Sequence, residues 1–143
     1  MNIFLEFSLA IFLALIVVLT HYETLRVTSL SLTELHIPPR PRILVVIIAA
    51  FFAHLAEVTL YAVSYMVLNE VFDAGALAGQ HISGFYDYFY YSLVTYTTLG
   101  IGDLYPTEAL RLLTGMESLV GLMMITWTAS FTYLTMQNFW KLH

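Results

Sequence analysis

The chain has 143 residues, 59% of them hydrophobic and only 10% charged, whereas about a quarter of the residues of an ordinary soluble domain are charged. A net charge of −5 leaves no basic surface for nucleic acid. With no cysteine, neither a disulfide framework nor a thiolate metal site is open to it, and the length suits one module rather than two domains.

A helix that spans a bilayer needs about 20 mostly apolar residues. The first such run is Ile3–Thr20, IFLEFSLAIFLALIVVLT. It has no positive n-region and no small-residue cleavage site before His21, and Glu6 stands where a signal peptide would carry Lys or Arg. It therefore reads as a retained transmembrane helix over residues 1–21. The linker 22–42 begins with YETLRVTSLSLTELH, which fits an extension of that helix, a short interfacial helix or an ordinary connector. Pro38, Pro39 and Pro41 stop whatever precedes the second run.

The second run is Ile43–Leu68, ILVVIIAAFFAHLAEVTLYAVSYMVL. It is followed by GALAGQHISG (Gly75–Gly84), which reads as an exposed loop. The next stretch, FYDYFYYSLVTYTT (Phe85–Thr98), is too short to cross a bilayer and too aromatic for a solvated loop. Ser83 is placed to cap it, and Asp87 in its first turn suits the positive end of a helix dipole. The chain must then return through LGIGDLYP to the side it entered from. Irregular backbone at membrane depth is tolerated only where protein buries it or water lines it. The expected element is thus a re-entrant helix and loop whose backbone faces something polar. The third run is Leu110–Met136, LRLLTGMESLVGLMMITWTASFTYLTM, and Phe139, Trp140 and Lys141 after it read as an interfacial anchor.

The cationic residues set the expected orientation. Arg26, Arg40, Arg42 and Lys141 fall on one side of these runs and Arg111 on the other. That places the N-terminus outside and the C-terminus in the cytoplasm. The segment between the second and third runs then faces outward, with Glu70, Asp73, Asp87, Asp103 and Glu108.

Within the re-entrant loop, TTLGIGD carries alternating glycines. Glycine adopts positive φ without steric penalty. Residues alternating between right- and left-handed conformations aim successive carbonyls to one side. Such a row, joined by a Thr hydroxyl, replaces the water shell of a dehydrated monovalent cation. One chain supplies only one wall of that cage, so the design calls for an oligomer.

Thr97-Thr98-Leu99-Gly100-Ile101-Gly102-Asp103 resembles the selectivity-filter signature of tetrameric potassium channels. The order of elements over about residues 43–137 is similar too, and the chain looks like the small bacterial two-helix-pore members with an added N-terminal helix. The resemblance implies an all-α membrane protein: three transmembrane helices plus a re-entrant pore helix and filter loop, assembled as a homotetramer in lipid. It implies an outer helix 43–70, an outer loop 71–84, a pore helix 85–97, a filter 98–103, an inner helix 108–137 and a short cytoplasmic tail 138–143. The carbonyls of Thr98, Leu99, Gly100 and Ile101 would hold potassium ions, with the Thr98 hydroxyl at the innermost site. Gly102 would allow the outer turn. Thr97, Asp103, Tyr90 and Tyr91 would support the filter. The permeant potassium ion is the expected ligand, with no organic cofactor, nucleic acid or soluble partner, and the expected location is a bacterial plasma membrane.

This chain departs from the pattern at Ile101, where the family usually has an aromatic residue, and at Tyr90 and Tyr91, where many relatives have Trp. Isoleucine cannot hydrogen-bond, so the expected brace is apolar packing of Ile101 against the tyrosines. That motivates an alternative reading, a weakly selective monovalent cation pore.

Apart from Glu6 and Arg111 near the run ends, three ionisable residues lie deeper within the runs: His54 and Glu57 on one helical face, and Glu117 in the third. They fit a proton-sensitive gate or a hydrogen-bonded strut, and the strut is preferred because buried polar groups more often serve packing specificity. They also match part of a metal site in helical bundles, the basis of a further alternative, a His/Glu metal-binding membrane protein. Gly121 lies where the family has an inner-helix hinge, and close helix packing is its other reading. Thr126 and Ser130, four residues apart, share a face suited to lining a central cavity. There is no arginine-repeat helix for voltage sensing.

Overall fold

A computed structural model describes residues 3–34, 36, 38, 41–79 and 82–140, with the Trp140 side chain excepted. Pro39, Arg40 and Lys141, which enter the linker and orientation readings, and the tail 141–143 lie outside the described residues. The elements run α1 (Ile3–Glu34), α2 (Arg42–Glu70), β1 (Leu77–Gly79), α3 (Phe85–Tyr96), β2 (Leu104–Pro106) and α4 (Leu110–Trp140). Among the described residues, three helices are long and apolar enough to cross a membrane: Ile3–Glu34, Arg42–Glu70 and Leu110–Phe139. The chain is an all-α membrane protein with one small strand pair added.

The first helix does not stop at residue 21. It runs unbroken for 32 residues, about 48 Å at 1.5 Å per residue, well beyond the hydrocarbon core. No Gly or Pro interrupts it before Pro38. Its threonines return their hydroxyls to the helix, Thr20 to the Ile16 carbonyl at 2.8 Å, Thr24 to Thr20 at 2.8 Å and Thr28 to Thr24 at 2.7 Å. Ala10, Val17, His21, Leu25, Thr28 and Leu32 form its buried stripe, spaced by three, four or seven residues. His21 is therefore a buried core residue well inside α1 and not the last residue of a helix that gives way to a linker at 22.

Helix α2 starts at the N-cap Pro41 and packs between α1 and α3. Val58, Tyr61, Ala62 and Tyr65 of α2 form one buried cluster with Ala10 and Val17 of α1, Tyr88, Tyr91 and Tyr96 of α3, and Leu113 and Val120 of α4. A second cluster, Leu32, Ile43 and Val46 with Phe131, Met136 and Phe139, joins the end of α1, the start of α2 and the end of α4. The Arg42 guanidinium lies 5.0 Å from the centre of the Phe139 ring at that same end.

The segment expected to be an exposed loop is only partly so. Gly75 and Leu77 are buried, and β1 pairs antiparallel with β2 in the register Leu77↔Pro106, Ala78↔Tyr105 and Gly79↔Leu104. A Cβ on Gly79 would run into the Asp103 carbonyl, so this approach needs glycine. Ser83 is not the cap of α3; Gly84 is. The Asp87 carboxylate accepts instead from the Ser83 amide at 2.6 Å and the Ser83 hydroxyl at 2.9 Å, just outside the helix.

Candidate functional site

Helix α3 ends at Tyr96, and the chain leaves it through the segment 97–103. Its first amides stay with the helix: Thr98 donates to the Thr95 carbonyl and Leu99 to the Val94 carbonyl, each at 2.9 Å. Beyond that point the backbone alternates. Thr98 has φ 58°, Gly100 has φ 58° and Gly102 has φ 84°. Gly100 and Gly102 have open space where a Cβ would stand, so conformation alone demands glycine there. Thr98 adopts the same left-handed region with a β-branched side chain, a strained arrangement of the kind that concentrates at functional sites. Among the described residues, the carbonyls of Thr98, Leu99, Gly100 and Ile101 accept no hydrogen bond. The side chains of Leu99 and Ile101 are 66% and 56% exposed.

A family model described as "Ion channel" matches residues 42–138. The chain belongs to the ion channel family. That bears out, at the level of the family, the resemblance drawn from TTLGIGD. No match was found among curated proteins, and none among solved structures.

The channel ties its 97–103 segment to the helices at both ends. The Tyr90 hydroxyl donates to Asp103 Oδ2 at 3.0 Å, and the Leu104 amide donates to Asp103 Oδ1 at 3.0 Å. The hydrogen bond to Asp103 pushes the Tyr90 phenol above its ordinary range. Tyr91 turns the other way, its hydroxyl 2.8 Å from Thr114 Oγ1 of α4. The two tyrosines expected to pack on Ile101 thus spend their hydroxyls on Asp103 and on α4.

At the inner end, α3 and α4 touch closely. Ser118 Oγ donates to the Thr95 carbonyl at 3.2 Å. A Cβ on Gly121 would collide with the Tyr96 carbonyl and lie 3.0 Å from the Tyr96 ring. This is the close-packing role weighed for Gly121. Thr126 and Ser130 are exposed on α4, in a shallow groove shared with Val18, Met123, Met124 and Trp127.

His54 and Glu57 come together, but Glu117 does not join them. Its carboxylate forms a separate network, with Ser92 Oγ at 2.5 Å and the Tyr65 hydroxyl donating at 2.6 Å. The partner of His54 and Glu57 is instead His21 of α1, whose Nδ1 lies 2.9 Å from Glu57 Oε1. Tyr96 donates its hydroxyl to Glu57 Oε2. His54 Nδ1 lies 3.0 Å from the Tyr96 hydroxyl and 3.3 Å from Glu57 Oε2. His54 Nε2 and His21 Nε2 both reach Thr128 Oγ1, at 3.0 and 3.1 Å. The sequence signal for His21 was its place in the three-and-four stripe of α1, which is visible only if that helix continues past Thr20. One turn beyond Glu57, the buried Tyr61 hydroxyl has no partner among the described residues.

Proposed function

We propose that the channel assembles as a homotetramer and conducts potassium passively through a carbonyl-lined selectivity filter. In this reading the carbonyls of Thr98, Leu99, Gly100 and Ile101 from four chains stack into cages that replace the water shell of the ion. The Thr98 hydroxyl forms the innermost site, Gly102 allows the outer turn, and Thr97, Tyr90 and Asp103 hold the loop in place. Thr126 and Ser130 line the cavity below. The single observation that carries the reading is the alternating left-handed backbone at Thr98, Gly100 and Gly102, together with carbonyls that no group among the described residues claims. The exposed Leu99 and Ile101 side chains are surfaces for neighbouring copies to cover.

The N-terminus lies outside and the C-terminus in the cytoplasm of a bacterial plasma membrane in this reading, with lipid against the outer faces of α1 and α2. The start of α2 with Arg42 and the end of α4 lie at one end of the bundle, and this asymmetry supports the orientation.

Potassium flux from proteoliposomes tests the proposal. The flux is blocked by barium and abolished by Gly100→Ala, because alanine opposes φ 58° by about 1–2 kcal/mol in every copy. Flux that persists in Gly100→Ala overturns it. Ile101 motivates a second reading: 56% exposed within the chain and unable to hydrogen-bond, it leaves the filter without an aromatic brace, which favours weak selectivity among monovalent cations. Reversal potentials under opposed potassium and sodium gradients separate the two.

A further inference from the structure

The cluster of His21, Glu57, His54 and Tyr96 plays no part in conduction as proposed above. The geometry points to a divalent transition-metal site there. Its donors are His21 Nδ1, His54 Nδ1, the Glu57 carboxylate and the Tyr96 hydroxyl oxygen, with Thr128 as the shared outer partner. The inference goes beyond the potassium reading and does not depend on it.

Convergence is the first argument. The ligand atoms of His21, His54 and Glu57 all lie within 4.8 Å of one another. Adjacent donors are 2.9 Å (His21 to Glu57), 3.3 Å (His54 to Glu57) and 3.0 Å (His54 to Tyr96) apart, while Tyr96 and Glu57 are in direct hydrogen-bond contact and would have to part for both to bind one ion. A tetrahedral zinc ion with bonds of about 2.0–2.1 Å separates its ligands by about 3.3 Å. Imidazole with carboxylate suits zinc and its first-row neighbours. His21 and Glu57 have no exposed side-chain surface, and the carboxylate supplies the negative charge that a buried cation requires.

Counting protons is the second argument. If both Nδ1 atoms donate toward the Glu57–Tyr96 side, both Nε2 atoms are bare. Both then address Thr128 Oγ1, whose hydroxyl has one proton to give. Giving His54 the other tautomer turns a bare Nδ1 toward Glu57 Oε2 and leaves one Tyr96 proton for two acceptors. A second proton on His54 removes the conflict, and a metal on the two Nδ1 atoms removes it too. Both Nε2 atoms carry hydrogen, and both donate to the lone pairs of Thr128 Oγ1. Metal-ligating imidazoles require this kind of outer partner. The site would clamp α1, α2 and α3 together at Tyr96, next to Thr97 and Thr98, and so act on the base of the conduction loop.

The test uses the full-length chain, purified in detergent, stripped with chelator and titrated with Co²⁺. The expected result is a saturable visible absorption band at about one ion per chain, as one four-coordinate site predicts. Zn²⁺ displaces it and raises the melting temperature. His21→Gln removes the band, and His36→Gln, outside the cluster, leaves it unchanged. Should His21→Gln fail to fold, Thr128→Val decides, lowering Co²⁺ affinity by about 10–100-fold through its effect on the imidazoles. No saturable band, a weak band of six-coordinate type, or an affinity unchanged in His21→Gln or Thr128→Val overturns the proposal. A melting temperature that follows pH but ignores Co²⁺ and Zn²⁺ also overturns it, and assigns the cluster to a bound proton.

Discussion

His21 Nδ1 of α1 lies 2.9 Å from Glu57 Oε1 of α2, and neither side chain has any exposed surface. The N-terminal helix is thus joined to the family-matched segment by a buried polar contact as well as by apolar packing. Glu57→Ala strips an acceptor from His21 and from Tyr96 at once and leaves both buried. The expected loss is about 3–5 kcal/mol, the usual result of removing one partner of a buried pair, read as a lower thermal unfolding temperature in detergent. The double variant His21→Leu with Glu57→Leu should cost less than the sum of its singles, by a coupling of about 0.5–3 kcal/mol. Strict additivity would show that the contact contributes nothing.

Gly121→Ala drives a methyl group into the Tyr96 carbonyl. Backbone yields poorly, so overpacking of about 1–3 kcal/mol is expected, with potassium flux reduced because α3 must shift. Gly115→Ala is the matched control on the same helix, since no neighbouring group among the described residues lies within 4 Å of its new methyl. Equal effects of the two changes, in melting temperature and in flux, would rule out close packing as the role of Gly121.

Tyr90→Phe removes the hydroxyl that donates to Asp103 Oδ2 while keeping the ring. Single-channel recordings should show shorter open periods, and Ile101→Tyr should lengthen them and sharpen selectivity. The pH dependence follows from the direction of the Tyr90 shift. A raised phenol keeps its proton everywhere below its ordinary value of about 10 and loses the contact only as pH rises through the raised value. The Tyr90-dependent part of the open time should therefore be flat from neutral to mildly alkaline pH. A Tyr90-dependent change between neutral pH and about pH 9 would contradict this assignment.

Much of this was legible in the sequence, and the omissions have physical causes. Three apolar runs and a re-entrant aromatic segment follow from bilayer thickness and backbone polarity alone. The alternation at Gly100 and Gly102 could be read because glycine marks left-handed backbone. Thr98 shares that conformation, yet nothing in a threonine announces it. The stretch of α1 beyond residue 21 was read as linker because hydropathy falls at the end of an apolar run even when the helix continues on back-bonded threonines. The β1–β2 pair stayed hidden because three residues are too few for an alternating pattern to emerge. Glu117 shares a charge type with Glu57, and only the packing of α3 between them assigns the two carboxylates to different partners.

Thr107 offers a test of that strand pair. Its Oγ1 accepts from the Ala76 amide at 2.8 Å and donates to the Ala76 carbonyl at 2.9 Å. Thr107→Val keeps the shape and removes both bonds. A loss of about 1–3 kcal/mol is expected from the stranded Ala76 amide, the carbonyl keeping its bond from the residue 107 amide, together with faster amide hydrogen exchange at residues 76–79. Exchange that matches the unaltered chain would show that the strand pair holds without Thr107.

The strand pair has a consequence for assembly. Residues 77–79 and 104–106 form the neck of a lasso whose noose holds α3 and the segment 97–103. Closing a noose of this length carries an entropic cost that grows only slowly with its size, and the neck lies entirely within one chain. Each subunit can therefore tie its own noose before it meets another. The four walls of the proposed cage would then arrive at assembly already bent, leaving association to align them and not to fold them.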